Sequence, residues 1–360
     1  HPVAHSFPTR RSSDLQPYFK AVNLARARLA DPDYPGTIAE EFKPELRHIG
    51  KVHSKVDGKQ LVAGKRAYVE DRVEPGSYVL QMLRSPYAHA YISAIDTAEA
   101  ERMTGVLLVL TYKNCPDVYY TSAGQGYPEP SPYDRKMFGR KLRHVGDRVA
   151  AVIAETEEIA RKAISRIRVE YEVLKPVFTV DEASAEGAPI VHQSRIAFLK
   201  GAPENLAEIN RHAEERDGEI TYPFPIGADP HHNLASSVQN GIGDVAKGFG
   251  EAEQIIERTY KTSQVNCTPC EPHTVYTRME GDRLVVHAST QVPWHVRRNV
   301  AKVLGISENR VRVVKERVGG GYGSKQDILL EEVAAYATWK TGYPVFYQFS
   351  REEEFIACSS

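Results

Sequence analysis

Four glycines in five positions, Gly319-Gly320-Gly321-Tyr322-Gly323, followed by Ser324-Lys325-Gln326, constrain this chain more than any other stretch. Before them, Arg310-Val311-Arg312-Val313-Val314-Lys315 alternates charged and β-branched residues and predicts a strand. After them, Asp327 and the run from Ile328 to Ala337 predict a helix with an Asp N-cap. A side-chain-poor loop thus joins a strand end to a helix start. There the main chain can approach a ligand closely, and free N–H groups at the helix start can meet an oxyanion. A plain strand–helix turn is the alternative, but it needs fewer glycines.

Two familiar phosphate loops do not fit. A nucleoside-triphosphate loop needs Gly before the Lys and Ser or Thr after it, whereas Lys325 lies between Ser324 and Gln326. A dinucleotide fingerprint needs a third glycine where the chain has Ser324 or Gln326.

The run resembles the Gly-Gly-Gly-Phe-Gly-x-Lys loop of the molybdenum-binding subunits of the xanthine dehydrogenase and aldehyde oxidase family. Other segments match in the same order. Ser289-Thr290-Gln291 resembles the family's Ser-Thr-Gln segment, Glu271-Pro272-His273 its Glu-Pro element, and Ser350-Arg351-Glu352-Glu353 its Arg-Glu-Glu segment. Gly64-Lys65-Arg66-Ala67-Tyr68, Leu83-Arg84-Ser85-Pro86-Tyr87-Ala88-His89 and Val145-Gly146-Asp147-Arg148-Val149 resemble its small leading domain. The motif form is closest to bacterial xanthine dehydrogenase subunits.

Periodicity places these motifs on elements. Tyr78–Leu83, Val149–Ile153 and Arg168–Leu174 predict strands, and Thr156-Glu157-Glu158 opens a helix with Ile159, Ala163, Ile164 and Ile167 on one face. Ile255–Tyr260, Thr274–Met279 and Arg283–Ala288 predict further strands, the last two joined by a turn at Gly281. Pro293 starts a helix striped by Val296, Val300, Val303 and Leu304 and closed by Gly305. A strand–helix–strand unit of this kind favours an α+β or α/β sandwich. The resemblance implies an α+β chain, an a/b hammerhead domain at 57–175 followed by the first part of a molybdopterin-binding domain at 241–360. Residues 176–240 then form a linker, with a charge-rich helix near Glu204–Arg216, and 16–56 an N-terminal extension. Residues 1–15 are expected to be non-native, because Phe7–Leu15 reads like translated sequencing-adapter DNA.

Composition excludes some functions. The 46 basic residues balance 47 acidic ones with no basic stripe, which argues against a nucleic-acid surface. The clean apolar run Val106–Leu110 is strand-length, too short for a membrane span, so a soluble cytoplasmic protein is expected. Cys267 and Cys270 have zinc-like spacing but no second pair, so buried thiols are expected instead. Adjacent His231 and His232 diverge on either regular element and are expected not to chelate together.

The resemblance implies a molybdopterin-type molybdenum cofactor that performs the redox chemistry, with iron–sulfur clusters and FAD on partner subunits in an oligomeric assembly. It places Gln291 and Tyr322 near molybdenum and uses Gly320, Gly321 and Gly323 to let the backbone approach the cofactor. Without the resemblance, Gln291 reads equally well as a turn-capping amide. Gln326 falls at a substrate-facing position, where an amide can pair with a purine edge. Hydroxylation of a purine, another N-heterocycle or an aldehyde at an electron-poor carbon is the implied reaction. Two departures stand out: Tyr322 replaces Phe, and Cys267 falls close to where many relatives carry His. The family's general base is expected downstream of Ser360, so no catalytic base is assigned in this chain, which is expected to be a fragment inactive alone. A non-catalytic binding or assembly module is the alternative.

Overall fold

The structure is a computed structural model that describes residues 51–123, 133–192, 195–198, 219–222, 229 and 232–358. Residues 1–15, the expected helix at 204–216 and His231 lie outside the described residues. Contacts divide the chain into residues up to Lys65 and residues from Arg66 onward. The first unit contributes one short described helix, α1 (Gly58–Val62).

In the second unit, seven strands form one sheet. Three come from the first half of the chain: β1 (Tyr78–Arg84), β3 (Val106–Thr111) and β5 (Arg148–Ala154). Four come from the second half: β9 (Thr274–Glu280), β10 (Arg283–Ala288), β11 (Val311–Lys315) and β12 (Val345–Gln348). Their order is β11-β10-β9-β12-β1-β5-β3. The seam between the halves is the parallel pair β1–β12, with Tyr78 opposite Val345. A smaller antiparallel sheet, β4-β2-β6, joins β2 (Ala90–Asp96), β4 (Lys141–Leu142) and β6 (Arg168–Val173). A separate parallel pair joins β7 (Arg195–Phe198) to β8 (Glu219–Tyr222).

Local sequence explains most of these elements. All seven residues of β5 are buried, as a Val- and Ala-rich central strand with both faces covered should be. Short helices α2 (Ala98–Glu101), α4 (Val180–Ser184) and α5 (Val245–Glu251) lie in the connections. Helix α3 (Glu157–Ile164) is capped by the Thr156 hydroxyl, which accepts from the Ile159 N–H at 3.2 Å. Helix α6 (Pro293–Leu304) starts on proline and stops at Gly305, whose φ of 66° is the left-handed C-cap geometry. Helix α8 (Arg351–Ile356) opens on a capping box between Ser350 and Glu353.

Two expectations fail. Ile255–Tyr260 forms no strand; Ile255, Ile256 and Tyr260 are exposed, and no described strand lies alongside to pair with them. Asp327 is not an N-cap: helix α7 (Glu331–Thr341) begins four residues later. Tertiary pairing wins there, because Asp327 bridges Ala123 and the Ile328 N–H donates to the Ser122 carbonyl at 2.9 Å. Leu330 is the N-cap residue and makes no side-chain cap; the Glu331 carboxylate accepts from the N–H groups of Leu329 and Leu330, just ahead of the helix, at 3.2 and 3.3 Å. The glycine loop therefore does not feed a helix N-terminus directly.

Buried polar joints also tie the halves together. Arg148 on β5 pairs with Glu332 on α7, and the Tyr120 hydroxyl donates to the same carboxylate at 2.6 Å. Arg148 also donates to the Leu329 carbonyl. Burial alone would raise the Glu332 carboxyl, but Arg148 and the Tyr120 hydroxyl more than reverse this and hold it below the usual carboxylate range. Nearer the surface, Arg84 on β1 reaches Glu353 at 3.0 Å and the Tyr347 hydroxyl at 3.0 Å.

Replacing Arg148 by Met leaves Glu332 buried without its cation, which should cost about 3–5 kcal/mol of unfolding free energy, and an added Glu332→Leu should restore most of it. Urea unfolding of both variants checks this. Glu331 is opposite in sign: burial first, then the charge of Glu332, pushes its carboxyl up. Its penalty is absent below the unfolded carboxylate pKa and grows as pH rises through the folded one. Glu331→Gln should therefore raise the melting temperature at pH 8 and leave it unchanged at pH 4, as measured by calorimetry.

Candidate functional site

Three segments meet around the glycine loop: the turn before β9, the end of β10, and the loop after β11. At the first, Glu271 fastens the loop at both ends. Its Oε2 accepts from the Gly319 N–H at 2.7 Å and from Lys325 Nζ at 2.8 Å, and its own carbonyl accepts from Lys325 Nζ at 2.8 Å. Lys325 is fully buried, so a charged lysine here depends on that carboxylate. A Cβ at Gly319 would lie 2.6 Å from Glu271 Cβ, which explains why this end of the loop is glycine.

His273 holds the loop from below. Its Nε2 lies 3.1 Å from the Ser324 carbonyl and its Nδ1 3.0 Å from Glu354 Oε1 on α8. Both ring nitrogens thus face oxygen atoms of neighbouring segments. The pairing with His273 outweighs the burial of Glu354 and holds that carboxyl below its ordinary range. Cys358 brings its sulfur close, and these three donor atoms lie within 4.8 Å of one another. Burial first, then Glu354, pushes the Cys358 thiol up to about 12, so it stays protonated. With both imidazole nitrogens engaged, the cluster is a hydrogen-bonded brace.

The third contact is Gln291. Its backbone N–H donates to the Lys325 carbonyl at 2.8 Å, and Thr290 Oγ1 donates to the same oxygen at 3.4 Å. Its side-chain Oε1 accepts from the Gly323 N–H at 3.2 Å, while its Nε2 has no acceptor among the described residues. A Cβ on Gly321 would sit 2.5 Å from that Oε1, so only glycine leaves room for the amide. Gly320, Tyr322 and Gly323 have φ of 104°, 52° and 102°. The Tyr322 ring is 77% exposed.

The N–H groups of Gly320, Gly321 and Tyr322 find no acceptor among the described residues, and Gly321 is buried. Consecutive unpaired amides beside a free Gln Nε2 make a site for an oxygen-rich anionic group. A molybdopterin-type molybdenum cofactor, with its oxo ligands, fits that donor set.

The structure thus brings Gln291, Gly320, Gly321, Tyr322 and Gly323 together. It puts Gln326 at the loop's far end, half-buried in a 3₁₀ turn, its N–H donating to the Gly323 carbonyl at 3.0 Å. Cys267 and Cys270 form no disulfide; Cys267 Sγ lies 3.7 Å from the Tyr322 carbonyl. His232 pairs with Asp229 at 2.6 Å. Sequence reasoning missed Lys325 and His273 as fasteners, since their partners lie 54 and 81 residues away. The only sequence signals were a lysine inside a glycine loop and a histidine following Glu-Pro.

Replacing Glu271 by Gln should cost about 3–5 kcal/mol by stranding Lys325, and should speed amide exchange at Gly319–Gln326 above that of β5. Hydrogen-exchange mass spectrometry on wild type and variant checks both.

Comparison with known proteins follows this geometry. Residues 227–360 match a family model for a molybdopterin cofactor-binding domain. Residues 63–175 match the aldehyde oxidase and xanthine dehydrogenase a/b hammerhead domain. The chain is 54% identical over 350 residues to the "Probable hypoxanthine oxidase XdhD" of Escherichia coli (strain K12), covering 97% of this chain and 37% of that protein. It is 32% identical over 309 residues to the "Xanthine dehydrogenase molybdenum-binding subunit" of Escherichia coli O157:H7, covering 84% of this chain and 36% of that protein. Among solved structures, a Cu,Mo-CO dehydrogenase matches with a TM-score of 0.67 at 26% identity, covering 86% of this chain and 36% of that one. The chain spans little more than a third of the length of these two curated relatives.

Proposed function

The chain belongs to the xanthine dehydrogenase and aldehyde oxidase family of molybdenum enzymes, and from that membership we propose that it forms part of a purine-hydroxylating molybdenum subunit. One observation carries the proposal: the unpaired N–H groups of Gly320, Gly321 and Tyr322 beside the free Nε2 of Gln291. Gln291 and these amides would hold the molybdenum end of the cofactor. When bound, the cofactor supplies the two-electron redox chemistry of hydroxylation. The protein's part is positional. Glu271 and Lys325 fix the two ends of the loop, His273 and Glu354 fix Ser324, and the Gly323 N–H fixes the Gln291 amide so that its Nε2 faces outward as a donor.

The purine assignment rests on the relative named as a hypoxanthine oxidase and on Gln326. Its amide can donate to and accept from a purine edge at once, which an aldehyde does not need. The general base, an iron–sulfur subunit and an FAD subunit belong to the complete enzyme under this reading, with electrons leaving the molybdenum site toward those partners.

In the complete enzyme, Gln326→Ala should lower kcat/KM for hypoxanthine about tenfold, the loss of one substrate hydrogen bond worth about 1.4 kcal/mol, with molybdenum content unchanged. Steady-state kinetics and metal analysis of both proteins decide it. Unaltered hypoxanthine kinetics would remove Gln326 from substrate contact. Turnover of aldehydes but not hypoxanthine in the parent enzyme would sink the purine reading itself.

A further inference from the structure

At the β11 end of the large sheet, a groove of about 480 Å³ opens between that edge strand and the start of α6, whose Pro293 follows Gln291 by two residues. Four cations line it, Arg283, Arg297, Arg312 and Lys315, together with Trp294 and Val313. The described acids nearby are few and engaged. Arg297 donates to the Glu308 carbonyl at 3.0 Å and lies 3.9 Å from its carboxylate, and Arg312 lies 3.7 Å from Glu280. Arg283 and Lys315 have no carboxylate partner among the described residues. The groove therefore carries a surplus of positive charge, although the whole chain has a formal net charge of −1.

Two further observations narrow the occupant. Among the described residues, β11 pairs only with β10, so its outer backbone N–H and C=O groups lack ladder partners. Trp294 is 69% exposed in the first turn of α6, three residues before Arg297, so the two share a helix face. A free strand edge selects an extended peptide, four cations select carboxylates, and an exposed Trp beside an Arg is the usual make-up of an anchor pocket. A loose anion would use the charges but not the edge.

We propose that this groove docks an acidic, extended segment of a partner polypeptide, which adds a strand to β11, sets its carboxylates against Arg283, Arg312 and Lys315, and packs an apolar side chain on Trp294.

The probe is a capped peptide of alternating Glu and Val, titrated into the 360-residue chain while Trp fluorescence is followed; Trp294 and Trp339 are the tryptophans. Saturable binding that weakens with added salt is expected, at least tenfold weaker in Arg283→Glu/Lys315→Glu, and absent for the Lys–Val counterpart. A peptide with proline at its central position should also bind at least tenfold less, because it cannot extend the ladder. Calorimetry with Trp294→Ala should show the same loss, and unchanged melting temperatures establish that the surface variants fold. Equal binding to wild type and the charge-reversed variant, or to the proline peptide, overturns the proposal. So does tight binding of a single-stranded RNA oligomer with none of the peptide. A dimer in sedimentation that the Lys315→Glu change disperses would assign the edge to a second copy of this chain and overturn it equally.

Discussion

A single buried ammonium organises the candidate site. Lys325 has no exposed surface, and its stabilising partner is the Glu271 carboxylate 2.8 Å away. Burying a lone lysine would cost far more than any loop contact returns, so the loop closes only where Glu271 can reach. The same carboxylate oxygen takes the Gly319 N–H, so one group sets where the glycine run begins and ends. Gln291 and His273 then act on a loop whose span is already determined. Its unpaired amides are a result of this closure: a backbone pinned at both ends, with positive φ at Gly320, Tyr322 and Gly323, cannot turn those N–H groups back into a ladder.

The larger frame is held by the opposite arrangement, polar groups placed inside an apolar layer. Arg148, Glu332 and Tyr120 meet beneath the sheet among Leu329, Leu330 and Met137, where water cannot substitute for any of them. Such a trio adds specificity of assembly more than net stability, because only one docking of β5 against α7 brings both Arg148 and the Tyr120 hydroxyl onto Glu332 Oε1, while Glu332 Oε2 stays without a partner among the described residues. Glu331, next in sequence, faces the backbone of its own helix start and titrates the other way. Adjacent glutamates thus serve opposite electrostatic ends because successive helical positions point about 100° apart.

Much of this was legible in the sequence. Runs of Val, Thr, Leu and Tyr marked β9, β10 and β11, Thr156 and Pro293 marked helix starts, and Gly305 marked a stop, because each acts within a few residues. The family resemblance named the glycine loop and Gln291. Long-range pairing was not legible. Nothing local indicates that Asp327 would bridge Ala123 instead of capping a helix, or that Ile255–Tyr260 would lack a neighbouring strand among the described residues. The Glu271–Lys325 and His273–Glu354 pairs were hidden for the same reason, since spacing along the chain carries no information about which buried charges meet.

The seam between β1 and β12 has a consequence for how the molecule comes into being. Tyr78 is made early and its partner Val345 near the end of these residues, so during synthesis β1 emerges with one edge bare. Until β12 arrives, β1, β3 and β5 form an antiparallel patch with an unpaired apolar strand, the type of edge that seeks partners in other chains. Its closure is a long-range parallel pairing, the slowest kind of contact to form. The organisation of this fold therefore makes the nascent chain dependent on late-made residues, and delay at that step is where misassembly would begin.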